Sequence, residues 1–233
     1  MRFCTTMIAA GLLAASPTLA ADRGDRDDGL ANIANVIQMV RLDATEPDAR
    51  HGRDTRDQAK SQSDLYQIIA YYNDAIRRDP RDDDAYFHRG LAKLYAGALP
   101  AAIADLAQAS KLDPEYAYYA LWIDIIDRRR NEASGLAQAA ARFNMGKWPA
   151  PVIRLFLGET TPAAVLAAAN DPDPATRRGQ LCEANFYSGE FALQQGAKQE
   201  AKRLFRLAAG GCAREFVEGP AASAELAALD QNP

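Results

Sequence analysis

Pro80 and Pro114 stand 34 residues apart, and three further pairs share that offset: Ile68 with Ala102, Tyr72 with Leu106, and Ala75 with Ala109. A chain that matches itself at this period is built from two-helix units, none of which buries its apolar face alone, so neighbours must stack. The stretch from Asp83 to Tyr116 holds one such unit. In DAYFHRGLAKLYA, residues Tyr86, Gly90, Leu91 and Leu94 recur at spacings that build one helical face. PAAIADLAQASKL follows, with Pro100 in the first turn, where its missing N–H costs nothing. Ala102, Leu106 and Ala109 then line one side at i, i+4 and i+7. Gly97 marks the turn between the helices and Pro114 stops the second. Small residues opposite large ones let two helices pack ridge into groove, so Gly90 is expected against the Ala102–Ala109 ridge.

The same slots return near the C-terminus, where a unit starting at Cys182 places Gly189, Gly196, Ala201, Phe205 and Ala208. Gly90 to Gly189, Ala102 to Ala201 and Leu106 to Phe205 are each 99 residues, close to three periods, so about two degenerate units lie between. Ala117–Arg130 is expected to be a helix with Leu121 and Ile125 facing the core, and Ala133–Asn144 its partner. Trp148-Pro149-Ala150-Pro151 is a break. Val152–Leu157 is a short apolar helix, and Thr161-Pro162 opens another that Asp171-Pro172-Asp173-Pro174 ends. Phe216–Leu229 is expected to close the stack. Upstream, Leu65–Arg78 matches only the second helix of a unit. Either a helix carrying Leu30, Ile33, Ile37 and Val40 supplies the first, or the stack begins with half a unit.

The Asp83–Tyr116 pattern resembles the tetratricopeptide repeat (TPR) in its large first anchor Tyr86, small Gly90, the Ala102-Leu106-Ala109 ridge and closing Pro114. The resemblance implies an all-α, TPR-like helical-repeat solenoid, a right-handed superhelix. Its repeats are clearest at 83–116 and 182–213, with degenerate middle repeats and a C-terminal capping helix. The order of YFHRGLAKLYAG, YALWIDII, IRLFLGE, CEANFYSGEFALQQGAKQEAKRLFRLAA and EFVE is similar to that of the NlpI family of periplasmic TPR proteins, over roughly Asp83 to Leu229. Members of that family are scaffolds that bring a periplasmic PDZ-type protease together with cell-wall hydrolases. The resemblance thus implies a protein-binding adaptor in envelope maintenance, with a self-associating structural component as the alternative and a hydrolase as a remote one. Family members are anchored to the outer membrane by lipid. Here Cys4 precedes the first apolar run rather than following it, so a lipid anchor is not expected.

That run, Met7–Ala15, follows Arg2 and precedes Ser16-Pro17-Thr18-Leu19-Ala20, the arrangement of a signal peptide covering 1–20. It is too short to span a bilayer. Residues 21–62 are charged and poor in large apolar residues, a polar arm ahead of a helical domain over 63–233. A net charge of -4 argues against a nucleic-acid partner. The expected place is the periplasm and the expected partners are other proteins or peptides. Association with a second copy is left open.

In the resembled fold the inner groove is built from the first helix of each unit. By that register it would contain Asp84, Phe87, Leu91 and Leu94, then Tyr118, Leu121, Ile125, Arg128 and Arg129, then Glu183, Phe186, Glu190 and Gln194. Periodic apolar residues also suit a core, so about half of the apolar members are expected there. Arg128-Arg129-Arg130 could receive an acidic segment or simply offset the helix dipole. Cys182 and Cys212 come close if the two helices of the last unit are antiparallel, and an oxidising compartment would bond them. No catalytic residue is assigned. His51 and His88 accompany no nucleophile motif, and Gly210-Gly211 lacks the Lys and Ser/Thr of a phosphate loop. No cofactor and no metal are expected, since no His pair accompanies the cysteines.

Overall fold

A computed structural model describes the backbone of residues 50–231 and the side chains of residues 63–231. The signal segment, the Leu30–Val40 helix and the His51 side chain lie outside the described residues. Within them the chain is helical, with no strand: α1 Arg50–Arg78, α2 Asp83–Tyr95, α3 Leu99–Leu112, α4 Ala117–Arg129, α5 Leu136–Ala140, α6 Ala150–Phe156, α7 Pro162–Ala168, α8 Pro174–Gln194, α9 Lys198–Gly211 and α10 Glu218–Gln231.

The two clear units pack as their residue sizes require. A Cβ on Gly90 would lie 3.1 Å from Leu106 Cγ and 3.3 Å from the Ala102 carbonyl oxygen. One on Gly189 would lie 2.7 Å from Phe205 Cε1. Ala102, Leu106, Ala109, Ala201, Phe205 and Ala208 are all 0% exposed, so both ridges are fully covered. The turn that reverses the chain uses glycine both times, at Gly97 (φ 79°) and Gly196 (φ 73°), where a side chain would be strained. Gly189→Ala is therefore expected to lose about 1–2 kcal/mol, overpacking outweighing the gain in helix propensity. Phe205→Leu should absorb the added methyl. Urea melts of both single variants and the pair should show the double variant losing less than the sum.

Departures from the expected elements have local causes. Residues 50–62, assigned to the polar arm, continue α1 as helix. Leu65, Ile68 and Tyr72 anchor the helix on Ala85 and Ala92. Each further turn then costs only propagation, and no proline interrupts. A lone helix thus precedes α2 in the described chain. The partner expected over Ala133–Asn144 is reduced to the five residues of α5, and Asn144 Oδ1 accepts from the Gly146 N–H at 3.0 Å in a turn beyond its end. The helix expected to open at Cys182 opens at Pro174. Asp173 accepts from the Thr176 N–H at 2.7 Å and caps a helix with Pro174 in its first turn. Pro174 therefore opens a helix as well as following one. The closing helix begins at Glu218 rather than Phe216 and buries Ala221, Ala222 and Leu229 in the main core.

Between α1, α2 and α3 sits a polar clamp. Arg89 donates to both oxygens of buried Asp105 at 2.8 and 2.6 Å and to Asn73 Oδ1 at 2.8 Å. Lys93 reaches the same carboxylate at 2.7 Å.

Candidate functional site

The expected groove is closed along its middle. Helix α8 lies directly against α4. Tyr118 donates to Glu183 at 2.6 Å near one end, and Arg129 donates to Glu190 at 2.7 Å near the other. Between these ends Trp122 packs on Phe186 with ring centroids 5.3 Å apart, and Leu121, Ile125 and Phe186 are fully buried. Leu91 and Leu94 join the same core, and Phe87 is buried at its edge. These six apolar positions are therefore core, where about half of the apolar members were expected. The shortened helices α5 to α7 leave the full-length α8 as the neighbour that covers α4.

The three arginines each have a partner within the chain. Arg128 donates to Asp124 and to the Phe156 carbonyl, both at 2.7 Å. Arg129 joins Glu190 at 2.7 Å and Glu225 of α10 at 2.8 Å. Arg130 pairs with Glu132 at 3.0 Å. Arg128, Arg129, Glu190 and Gln194 line a cleft of about 520 Å³ at this end, where the Gln194 amide has no hydrogen-bond partner.

At the opposite end Asp84, Phe87, His88, Tyr116, Tyr118, Glu183 and the 215–218 segment line a cleft of about 300 Å³. The expected Cys182–Cys212 bond is present, with Cα atoms 4.8 Å apart. It ties the end of α9 to the middle of α8, because α8 extends eight residues ahead of Cys182. The following loop crosses that extension at Gly179, where a Cβ would fall 2.5 Å from Phe216 Cζ. This crossing carries Glu215, Phe216 and Glu218 into the cleft. Asp84, Phe87, Tyr118 and Glu183 thus line one cleft. Tyr116, Glu215 and Glu218 are additions that no helical periodicity flagged.

Electrostatics set this cleft apart. Glu183 is 6% exposed and accepts from the Tyr118 hydroxyl and from Trp148 Nε1 at 2.5 Å. Glu218 is 3% exposed and accepts from the Tyr187 hydroxyl at 3.0 Å. Burial, and then the Glu183 charge, push the Glu218 carboxyl up to about 8. Burial also raises Glu183, against the pull of its two donors. His88 is held neutral by burial, down to about 4, and stacks on Tyr72 with centroids 5.4 Å apart.

A carboxyl whose folded value is raised contributes stability that is complete below its unfolded value and lost as pH rises through the folded one. The Glu218 share of stability is therefore expected to be lost progressively from about pH 5 and to be gone above about pH 8, while His88, buried neutral, contributes in the opposite sense below about pH 6.5. Thermal melts across that range should show a shallower fall in Glu218→Gln. An equally steep fall would remove Glu218 as a cause.

Among the described residues no group of three or more His, Cys, Asp or Glu side chains is placed to hold a metal ion, and no helix is long and apolar enough to cross a membrane. No protein-family model matches the chain.

Proposed function

We propose that this chain is a periplasmic TPR-type adaptor that binds other proteins, in the manner its resemblance to the NlpI family implies. The observation that carries this is the repeated helix pair. Gly90 meets Leu106 and Ala102, and Gly189 meets Phe205, at the same 99-residue offset and with the same glycine turn. Stacked pairs of this kind hold rigid side chains at fixed spacing, which suits docking of a polypeptide at several points. The Cys182–Cys212 bond supports an oxidising compartment. The tyrosine-lined, acid-lined cleft supports a polar protein ligand over an apolar small molecule. Of the groove residues first considered, Asp84, Tyr118 and Glu183 are those this proposal retains. The working assignment is a non-enzymatic one, partners being brought together rather than transformed.

Capture from a periplasmic extract with the immobilised full chain tests the proposal. Recovery of a protease or peptidoglycan hydrolase, lost when unlabelled chain competes, is expected. Recovery of only the chain itself would replace the adaptor with the self-associating structural component. Tyr66 and Tyr71, 59% and 41% exposed on α1, favour that second proposal as the place where copies would meet.

A further inference from the structure

Six acids and one histidine are buried among the described residues: Asp105, Asp124, Glu183, Glu190, Glu218, Glu225 and His88. Four of the six acids have a cation at hand. Asp105 has Arg89 and Lys93, Asp124 has Arg128, and Glu190 and Glu225 share Arg129. Glu183 and Glu218 have none among the described residues, and they face the same cleft. Their hydrogen-bond donors are Tyr118, Trp148 and Tyr187, all neutral. A buried carboxylate is ordinarily paired, because an uncompensated one costs several kcal/mol. The two acids share the cleft with His88, which is 8% exposed and leaves its Nδ1 without a hydrogen-bond partner. Among the described residues the two acids without a cation thus lie in one cleft, while the other four buried acids are each paired with a cation.

We infer that this cleft receives an arginine side chain of a partner polypeptide, its guanidinium placed between Glu183 and Glu218. The walls fit that group. Tyr116 is 42% exposed at the rim, with its ring centroid 5.1 Å from that of Tyr118. A planar cation entering there finds aromatic faces on its way to the carboxylates. Glu215 adds a further acid at the mouth. Lysine carries the charge but lacks the fork that reaches two carboxylates at once. The inference rests on the adaptor proposal for its ligand being a polypeptide. It goes beyond that proposal in fixing which residue type is read and where.

The test uses the purified full chain and a blocked hexapeptide with one central arginine. Its controls are the same peptide with citrulline, which keeps the shape and loses the charge, and free arginine amide. Titration calorimetry at pH 7 should show the arginine peptide binding at least about tenfold more tightly than the citrulline peptide. Glu183→Gln and Glu218→Gln should each remove most of that difference while cooperative melting is kept. Binding should also lift the melting temperature of the unmodified chain more at pH 8 than at pH 5, since the ligand holds both acids ionised. Equal affinity for the two peptides, or no measurable binding of either, overturns the inference. Arginine amide binding as tightly as the peptide makes the occupant a small cation and overturns the partner assignment. If both Gln variants still capture the periplasmic partner, the adaptor stands and this cleft falls. If the arginine peptide binds and nothing is captured, the cleft stands and the adaptor falls.

Discussion

Replacing Arg129 with methionine is expected to lower stability by about 3–5 kcal/mol at pH 8. The side chain holds two buried carboxylates at once, Glu190 on α8 and Glu225 on α10. Without it, two like charges, both almost wholly buried, would share a site with no counter-ion. Burial already raises Glu190 to about 7, with Arg129 opposing and Glu225 assisting. Loss of Arg129 raises it further. The deficit should therefore be greatest at high pH and shrink toward pH 5, as protonation removes the repulsion. Denaturant melts at the two pH values measure this directly. Combining Arg129→Met with Glu190→Gln and Glu225→Gln should recover much of the loss, because buried uncharged groups no longer need a cation. A deficit that does not change with pH would mean that packing, not charge, is what Arg129 supplies.

The Cys182–Cys212 bond carries the second large effect. It closes a loop of 30 residues, worth about 3–4 kcal/mol by restriction of the unfolded chain. For a chain of this size that corresponds to a fall of about 10 °C in Tm. Cys182→Ala with Cys212→Ala should show it, and reductant should reproduce it in the unmodified chain while leaving the variant unaffected. The bond also fixes where the 213–217 loop begins. Amide exchange in that loop is accordingly expected to quicken on reduction, and the Glu215–Glu218 wall of the cleft to loosen with it.

The helix pairs were legible in the sequence because their determinants are local. Gly90 with Leu106, and Gly189 with Phe205, lie within one unit, and the small-against-large pattern survives at a fixed offset. The Cys pair was legible for the same reason, both residues belonging to neighbouring antiparallel helices. Three things were not. The start of α8 is hidden because Asp171-Pro172-Asp173-Pro174 both follows α7 and opens α8, and its local signal is the capping of Thr176 by Asp173. The filling of the groove depends on α8 reaching α4 across the shortened middle, a consequence of three small helices that no single window reveals. The cleft depends on where the loop after the last pair crosses, and Gly179 opposite Phe216 records that crossing only once both are seen together. The polarity of residues 50–62 does not mark the end of a helix, since a helix anchored at one end needs little apolar surface to continue.

Helix α1 rests on α2 through a patch of its own, Leu65, Ile68 and Tyr72 against Ala85 and Ala92, separate from the core that unites α2 to α10. Beyond that patch, the Asn73 contact of Arg89 secures it to the rest. A linear stack loses its members from the end with the weakest seam. The molecule is therefore expected to open stepwise from its leading helix, a sub-global excursion that would bare the outer side of α2 while the disulfide-stapled rear stays intact.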